Sequence, residues 1–175
     1  MRYVALGVCL LVGGRAAIVQ ALDGSPHVRA ESSEMRELIA ETALRSPTFR
    51  ALVDEIDGSD VIVYVRPRLL PSASLEGRIG FVASQAGTRF LAIELAVPRG
   101  RNEHMATLAH ELQHAIEIAR APWVVGPATL ARYYSQIGIA IANDPVAATF
   151  ESEAARAVGA RVRREIAVEA AALQR

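Results

Sequence analysis

Between Thr107 and Ala119 the chain reads TLAHELQHAIEIA, with His110 and His114 four residues apart and Glu111 directly after the first. On an α-helix that spacing sets two side chains one turn apart on a single face, so both imidazoles can reach one metal ion. Zinc accepts imidazole nitrogen and favours four ligands in a tetrahedron. Glu111 is rotated by about 100° from His110, which takes it off the ligand face but leaves it within reach of a water at the metal. Zinc can bring the pKa of such a water to about 7, and a nearby carboxylate can then take its proton during attack. The spacing therefore reads as a hydrolytic site with His110 and His114 as zinc ligands and Glu111 as general base.

A catalytic zinc site takes a third protein ligand. No histidine follows His114, so the partner should be a carboxylate, and TFESEAARAVGARV offers Glu151 and Glu153. Read as one helix at about 100° per residue, Phe150, Ala154, Val158 and Val162 form an apolar stripe that contains Glu151. Glu153 falls outside the stripe, toward Arg156, where an exposed i,i+3 ion pair accounts for it. A carboxylate within an apolar stripe needs a cation or hydrogen-bond donors. Glu151 is the expected third ligand. His27 and His104 have no comparable pairing, and His104, about 120° around the helix from His110, reads as a surface residue.

The elements that must position these residues follow from the local patterns. Residues 35–43 and 49–56 read as two short helices divided by Ser46-Pro47. DVIVYV (60–65) is short and β-branched, so it reads as a strand. RIGFVAS and RFLAIELAV flank Gln85-Ala86-Gly87-Thr88, a hairpin signal. Asn102 is the expected N-cap of a helix running to about Ala119, stopped by Pro122. A helix over 128–137 follows. A last one opens at Asp144 as N-cap with Pro145 in its first turn and runs to about Ala170. The expected class is α+β: a small antiparallel sheet, then the H-E-x-x-H helix, then a C-terminal helix bearing a ligand.

With these motifs the chain resembles the gluzincins, zinc peptidases with H-E-x-x-H on one helix and a glutamate ligand on a later one. ESEAA matches the E-x-x-A-D form of their second motif at Glu151 and Ala154, and departs from it at Ala155, where the family carries aspartate. That aspartate normally orients a ligating histidine, so its place must be filled elsewhere, and Asp144 and Glu117 are the candidates. The chain is similar to the compact minigluzincin arrangement, in which a short sheet precedes the catalytic helix, and the resemblance covers about 75 of the 175 residues. It implies that RFLAIELAV is a sheet edge able to pair with an extended peptide or protein substrate. Tyr133 and Tyr134 lie between the ligand segments, where one could stabilise an oxyanion or simply pack on the core. The implied activity is peptide-bond hydrolysis at zinc. The alternative is a non-catalytic zincin-fold module that binds zinc or a peptide.

Composition sets the outer bounds. The chain has 175 residues, 51% hydrophobic and 22% charged, with a formal net charge of zero, so nothing points to nucleic acid. Every basic residue counted is arginine. MRYVALGVCLLVGGRAAIVQA has a charged start, a short apolar run and a small-residue end, the layout of a signal peptide over 1–21. Residues 22–175 then form one domain, secreted or periplasmic. If the segment is instead a buried strand, the protein is cytoplasmic; only an uncleaved segment would bring it to a membrane. The one cysteine, Cys9, lies in this stretch, so the mature chain has no disulfide framework or thiol nucleophile. Mass spectrometry of the protein from its native host should find a mature N-terminus near Leu22. An intact Met1 or Arg2 in a cytosolic fraction contradicts cleavage.

Overall fold

The computed structural model describes residues 27–141 and 149–172. In chain order the elements are β1 (Val28–Ala30), α1 (Ser33–Arg45), α2 (Pro47–Asp57), β2 (Val61–Arg68), β3 (Gly77–Gln85), β4 (Thr88–Ala96) and α3 (Arg101–Ala119). After them come α4 (Pro127–Ile137), β5 (Ile139–Ile141), β6 (Thr149–Glu151) and α5 (Glu153–Ala172). The α+β class expected from the sequence is the class observed. The expected signal segment and Asp144-Pro145 lie outside the described residues. Among the described residues no helix is long and apolar enough to cross a membrane.

Ser46 divides the first two helices by serving both. Its N–H donates to the Thr42 carbonyl at the end of α1, and its hydroxyl accepts from the Phe49 N–H at the start of α2. Pro47 then occupies the first turn of α2, where a missing N–H costs nothing. Val61, Val63 and Val65 of β2 and Leu91, Ile93 and Leu95 of β4 are fully buried, alternating as the pleat requires. These side chains form the core with Leu38, Phe49, Leu108, Leu112 and Ile116 from the helices.

The main sheet differs from the expected antiparallel one. Its order is β1-β2-β4-β3; β1 pairs with β2 and β2 with β4 in parallel, and only the β3–β4 pair is antiparallel. The hairpin itself is where the sequence placed it, with Ala86 and Gly87 both at positive φ in a two-residue turn. RFLAIELAV is not an edge, however. It runs between β2 and β3, and Arg89 through Ala96 are all buried apart from the partly exposed Phe90. A near-continuous buried run marks an interior strand covered on both sides. The edge next to β4 is β3.

Helix α3 is the centre of the molecule. Fourteen of its 19 residues are buried, well beyond a single apolar stripe, because it packs on the sheet, α2 and α5 together. Its N-cap is Gly100 rather than Asn102. The Glu103 carboxylate accepts from the Gly100 N–H at 3.0 Å, while Asn102 Oδ1 accepts from Arg45. Its far end is held by Arg89, only 2% exposed. The Arg89 guanidinium donates to both carboxylate oxygens of Asp60 at 2.6 and 2.8 Å and to the carbonyls of Ile118, Ala119 and Ala121 at 2.7–3.0 Å. A helix C-terminus leaves carbonyls without intrahelical donors, and a buried cation satisfies several at once.

The last helix also departs from expectation. It begins at Glu153, not near Asp144, and residues 149–151 form a strand paired antiparallel with β5. Ser152 caps it: its hydroxyl accepts from the Ala155 N–H at 3.0 Å. The buried side of α5 is Ala155, Gly159, Val162 and Ile166, so Ala154, which is exposed, does not belong to the inward stripe.

Arg89→Met should lower stability by about 3 kcal/mol, since charged hydrogen bonds to the C-terminal carbonyls of α3 are lost at once. Asp60→Asn should cost about 1 kcal/mol or less, because the Asp60 side chain is 44% exposed and rehydrates. Urea denaturation of the two variants checks the order; equal losses would place the interaction in the ion pair instead of the helix end.

Candidate metal centre

The centre forms where α3 meets the junction of β6 and α5. His110 and His114 project from one face of α3, their rings edge-to-face with centroids 5.0 Å apart. Glu151 approaches them from β6. Its Oε1 lies 3.3 Å from His110 Nε2 and 3.6 Å from His114 Nε2. One ligand atom from each of the three residues falls within 4.8 Å of the others, so the group can hold a metal ion. Ligands about 2.1 Å from a tetrahedral ion sit about 3.4 Å from one another, which matches the two measured separations. The donor set of two imidazoles and one carboxylate is a common one for zinc.

Each ligand is placed by something definite. His110 can lie close to α5 because residue 159 is glycine; a Cβ there would come 3.3 Å from His110 Cβ and 3.4 Å from the Ala106 carbonyl. Glu151 is steadied by the backbone that follows it, since the Ser152 N–H donates to its Oε1 at 2.8 Å. The helical phase argued from the sequence had the wrong premise, because Glu151 is in a strand and no helical angle applies to it. The residue chosen is nevertheless the one the structure brings to the histidines. Glu153, at the first turn of α5, is exposed.

With its Nε2 turned to Glu151, His114 presents Nδ1 to Glu117 Oε2 at 2.9 Å. Glu117 Oε1 accepts from the Ser152 hydroxyl at 2.6 Å, and the Tyr134 hydroxyl lies 3.1 Å from both Glu117 Oε2 and His114 Nδ1. Of the two candidates for orienting a ligand histidine, Glu117 is thus in contact with one. Tyr134 is part of the same network and buried, so the oxyanion role considered for it does not match its position. Tyr133 packs edge-on against Trp123 and donates to the Glu117 carbonyl at 3.3 Å.

The electrostatics follow from burial and charge pairing. Burial pushes the Glu111 carboxyl up to about 7, outweighing the pull of His114 toward its ionised form. Burial likewise lowers the pKa of His110, against the attraction of Glu151. For His114 burial disfavours the charge, but the hydrogen bonds to Glu117 and Glu151 prevail and raise it to about 9. Glu117 and Glu151 are shifted the other way: desolvation opposes their ionisation, and bonds to His114 more than restore it. Burial, then the charge of Glu117, lifts the Tyr134 hydroxyl far above its ordinary range, so it stays a donor.

His104, expected at the surface, is buried, with Nε2 2.7 Å from the Ala96 carbonyl, and stands apart from the centre. The reason is that α3 is enclosed on the face where a one-stripe helix would meet water. His27 Nδ1 lies 3.0 Å from the Ile56 carbonyl. The residues missed by sequence reasoning are Ser152, Gly77 and Gly159. Ser152 had a signal, a serine directly before the acidic first turn of a helix. The glycines had none, because their role is a close approach between distant segments.

Comparison with family models, with curated proteins and with solved structures returns no match. The site therefore rests on this chain's own geometry. The purified protein should take up one divalent ion per chain when zinc is supplied. Glu151→Ala should weaken uptake at least 100-fold in a chelator competition, while Glu153→Ala leaves it unchanged. The reverse order would move the ligand to Glu153.

Proposed function

We propose that the protein is a zinc-dependent hydrolase of gluzincin type that cleaves peptide bonds. The observation that carries this reading is the convergence of His110, His114 and Glu151 with the Glu111 carboxylate one residue away on the same buried helix. A bound zinc would supply Lewis acidity, polarising a carbonyl and acidifying a water. The rest is the work of side chains. Glu111 accepts the proton of the attacking water as its oxygen bonds to the carbonyl carbon, and returns it to the amine nitrogen as the C–N bond breaks. In the metal-free chain burial raises the Glu111 carboxyl to about 7, and a cation bound beside it would lower it toward the ionised form that accepts a proton.

The start of β3 supports a peptide as substrate. Gly77 lies directly on α3: a Cβ there would come 2.6 Å from Thr107 Cγ2 and 3.1 Å from Glu111 Oε1. Among the described residues β3 pairs as a strand only with β4 and is also approached by α4, so an extended chain could add along its outer edge without displacing a strand. A peptide added there would pass beside Glu111. This moves the substrate edge from the β4 segment, where the resemblance had put it, to β3. If the N-terminal segment is removed as a signal, the hydrolase works outside the cytoplasm.

Glu111→Gln keeps the size of the side chain and removes its basicity. It should retain zinc with near-parental affinity and lower kcat/KM on a peptide library by about 100- to 10,000-fold. Parental turnover by the variant would remove Glu111 from the base role. Zinc bound in the parent without cleavage of any peptide would favour a non-catalytic zinc module.

A further inference from the structure

A ligating imidazole usually donates its second ring N–H to a carboxylate or carbonyl, which fixes the tautomer and the ring plane and makes the other nitrogen a better ligand. We propose that Glu117, held in place by the Ser152 hydroxyl, is the positioning residue for His114. The proposal rests on the metal-centre reading above and adds to it the source of ligand orientation.

The geometry assigns both oxygens of Glu117. Oε2 accepts a hydrogen bond from His114 Nδ1–H at 2.9 Å, and Oε1 accepts one from the Ser152 hydroxyl at 2.6 Å. Neither the His114 nor the Glu117 side chain is more than 10% exposed, so these bonds compete little with water. Ser152 does a second thing. Its backbone N–H holds Glu151 Oε1 at 2.8 Å, so one residue fixes a ligand with its main chain and the orienting carboxylate with its side chain. Ser152 Oγ also accepts from the Ala155 N–H at 3.0 Å. A single hydroxyl therefore stands between the Glu117 carboxylate and the backbone of residue 155.

The alternative is that Glu117 only ties α3 to α4 and α5. Zinc affinity by chelator competition, the visible spectrum of the cobalt-substituted chain and the melting temperature of the metal-free chain separate the two. Glu117→Gln is isosteric and should fold; its zinc affinity should fall about tenfold, and Glu117→Ala by up to about 100-fold, with a changed cobalt spectrum in each. Glu165→Gln serves as a structural control. Its carboxylate binds Ser46 and Thr48 away from the centre, so it should lower the melting temperature and leave affinity and spectrum unchanged.

If Glu117→Gln binds zinc within twofold of the parent and keeps its cobalt spectrum, the proposal is overturned while the metal centre stands. A parent chain that takes up no metal overturns the metal-centre reading, and this proposal with it.

Discussion

Helix α3 carries His104, Glu111, Gln113, His114 and Glu117 into the interior of the molecule, and each must find a partner there. Among the described residues no fully buried side-chain nitrogen or oxygen lacks a hydrogen-bond partner. That constraint shapes the surroundings of the helix. Gly100 and Glu103 close its first turn, and Arg89 gathers the carbonyls of its last. Tyr134, Ser152 and Glu151 arrive from later segments to meet its polar face. Apolar packing could hold a helix here with less. The polar load explains why so much of the later chain is committed to one patch.

The patch is acidic on balance. Glu111, Glu117 and Glu151 face His110 and His114; against burial, the hydrogen bonds of His114 to Glu117 and Glu151 favour positive charge on that ring and raise it to about 9, while burial lowers His110. A cation between Glu151 and the two Nε2 atoms would supply that charge at a point that the ligand spacing already defines. The same chemistry makes Arg89 important at a distance. From its place in β4 it donates to the carbonyls at the end of α3, and so ties to the sheet the helix on which two ligands and the base are carried.

Much of the local structure was legible in the sequence, because the signals were local. Ser46-Pro47 divides two helices, Ala86-Gly87 turns a hairpin, and the four-residue step from His110 to His114 makes a helix face. What was not legible is how distant segments meet. The parallel pairing of Val61–Arg68 with Thr88–Ala96 leaves no mark in either strand beyond the buried run of β4. Glu151 was reached by a helical angle that does not apply, and its selection held only because a carboxylate amid apolar residues needs a partner in a strand as much as in a helix. Glu117 was one of two candidates, beside Asp144, for orienting a ligand histidine, and its spacing favoured it. It stands three residues after His114, a spacing that brings side chains together on any helix.

The claim on which the account turns is that His110, His114 and Glu151 bind one ion and leave a position open beside Glu111. Diffraction data from crystals grown with zinc, collected on both sides of the zinc absorption edge, test it directly. The account predicts one strong anomalous peak about 2.0–2.2 Å from His110 Nε2, His114 Nε2 and a Glu151 oxygen, with no fourth protein ligand. A peak held elsewhere, a fourth side chain closing the coordination, or no peak at this cluster would contradict it.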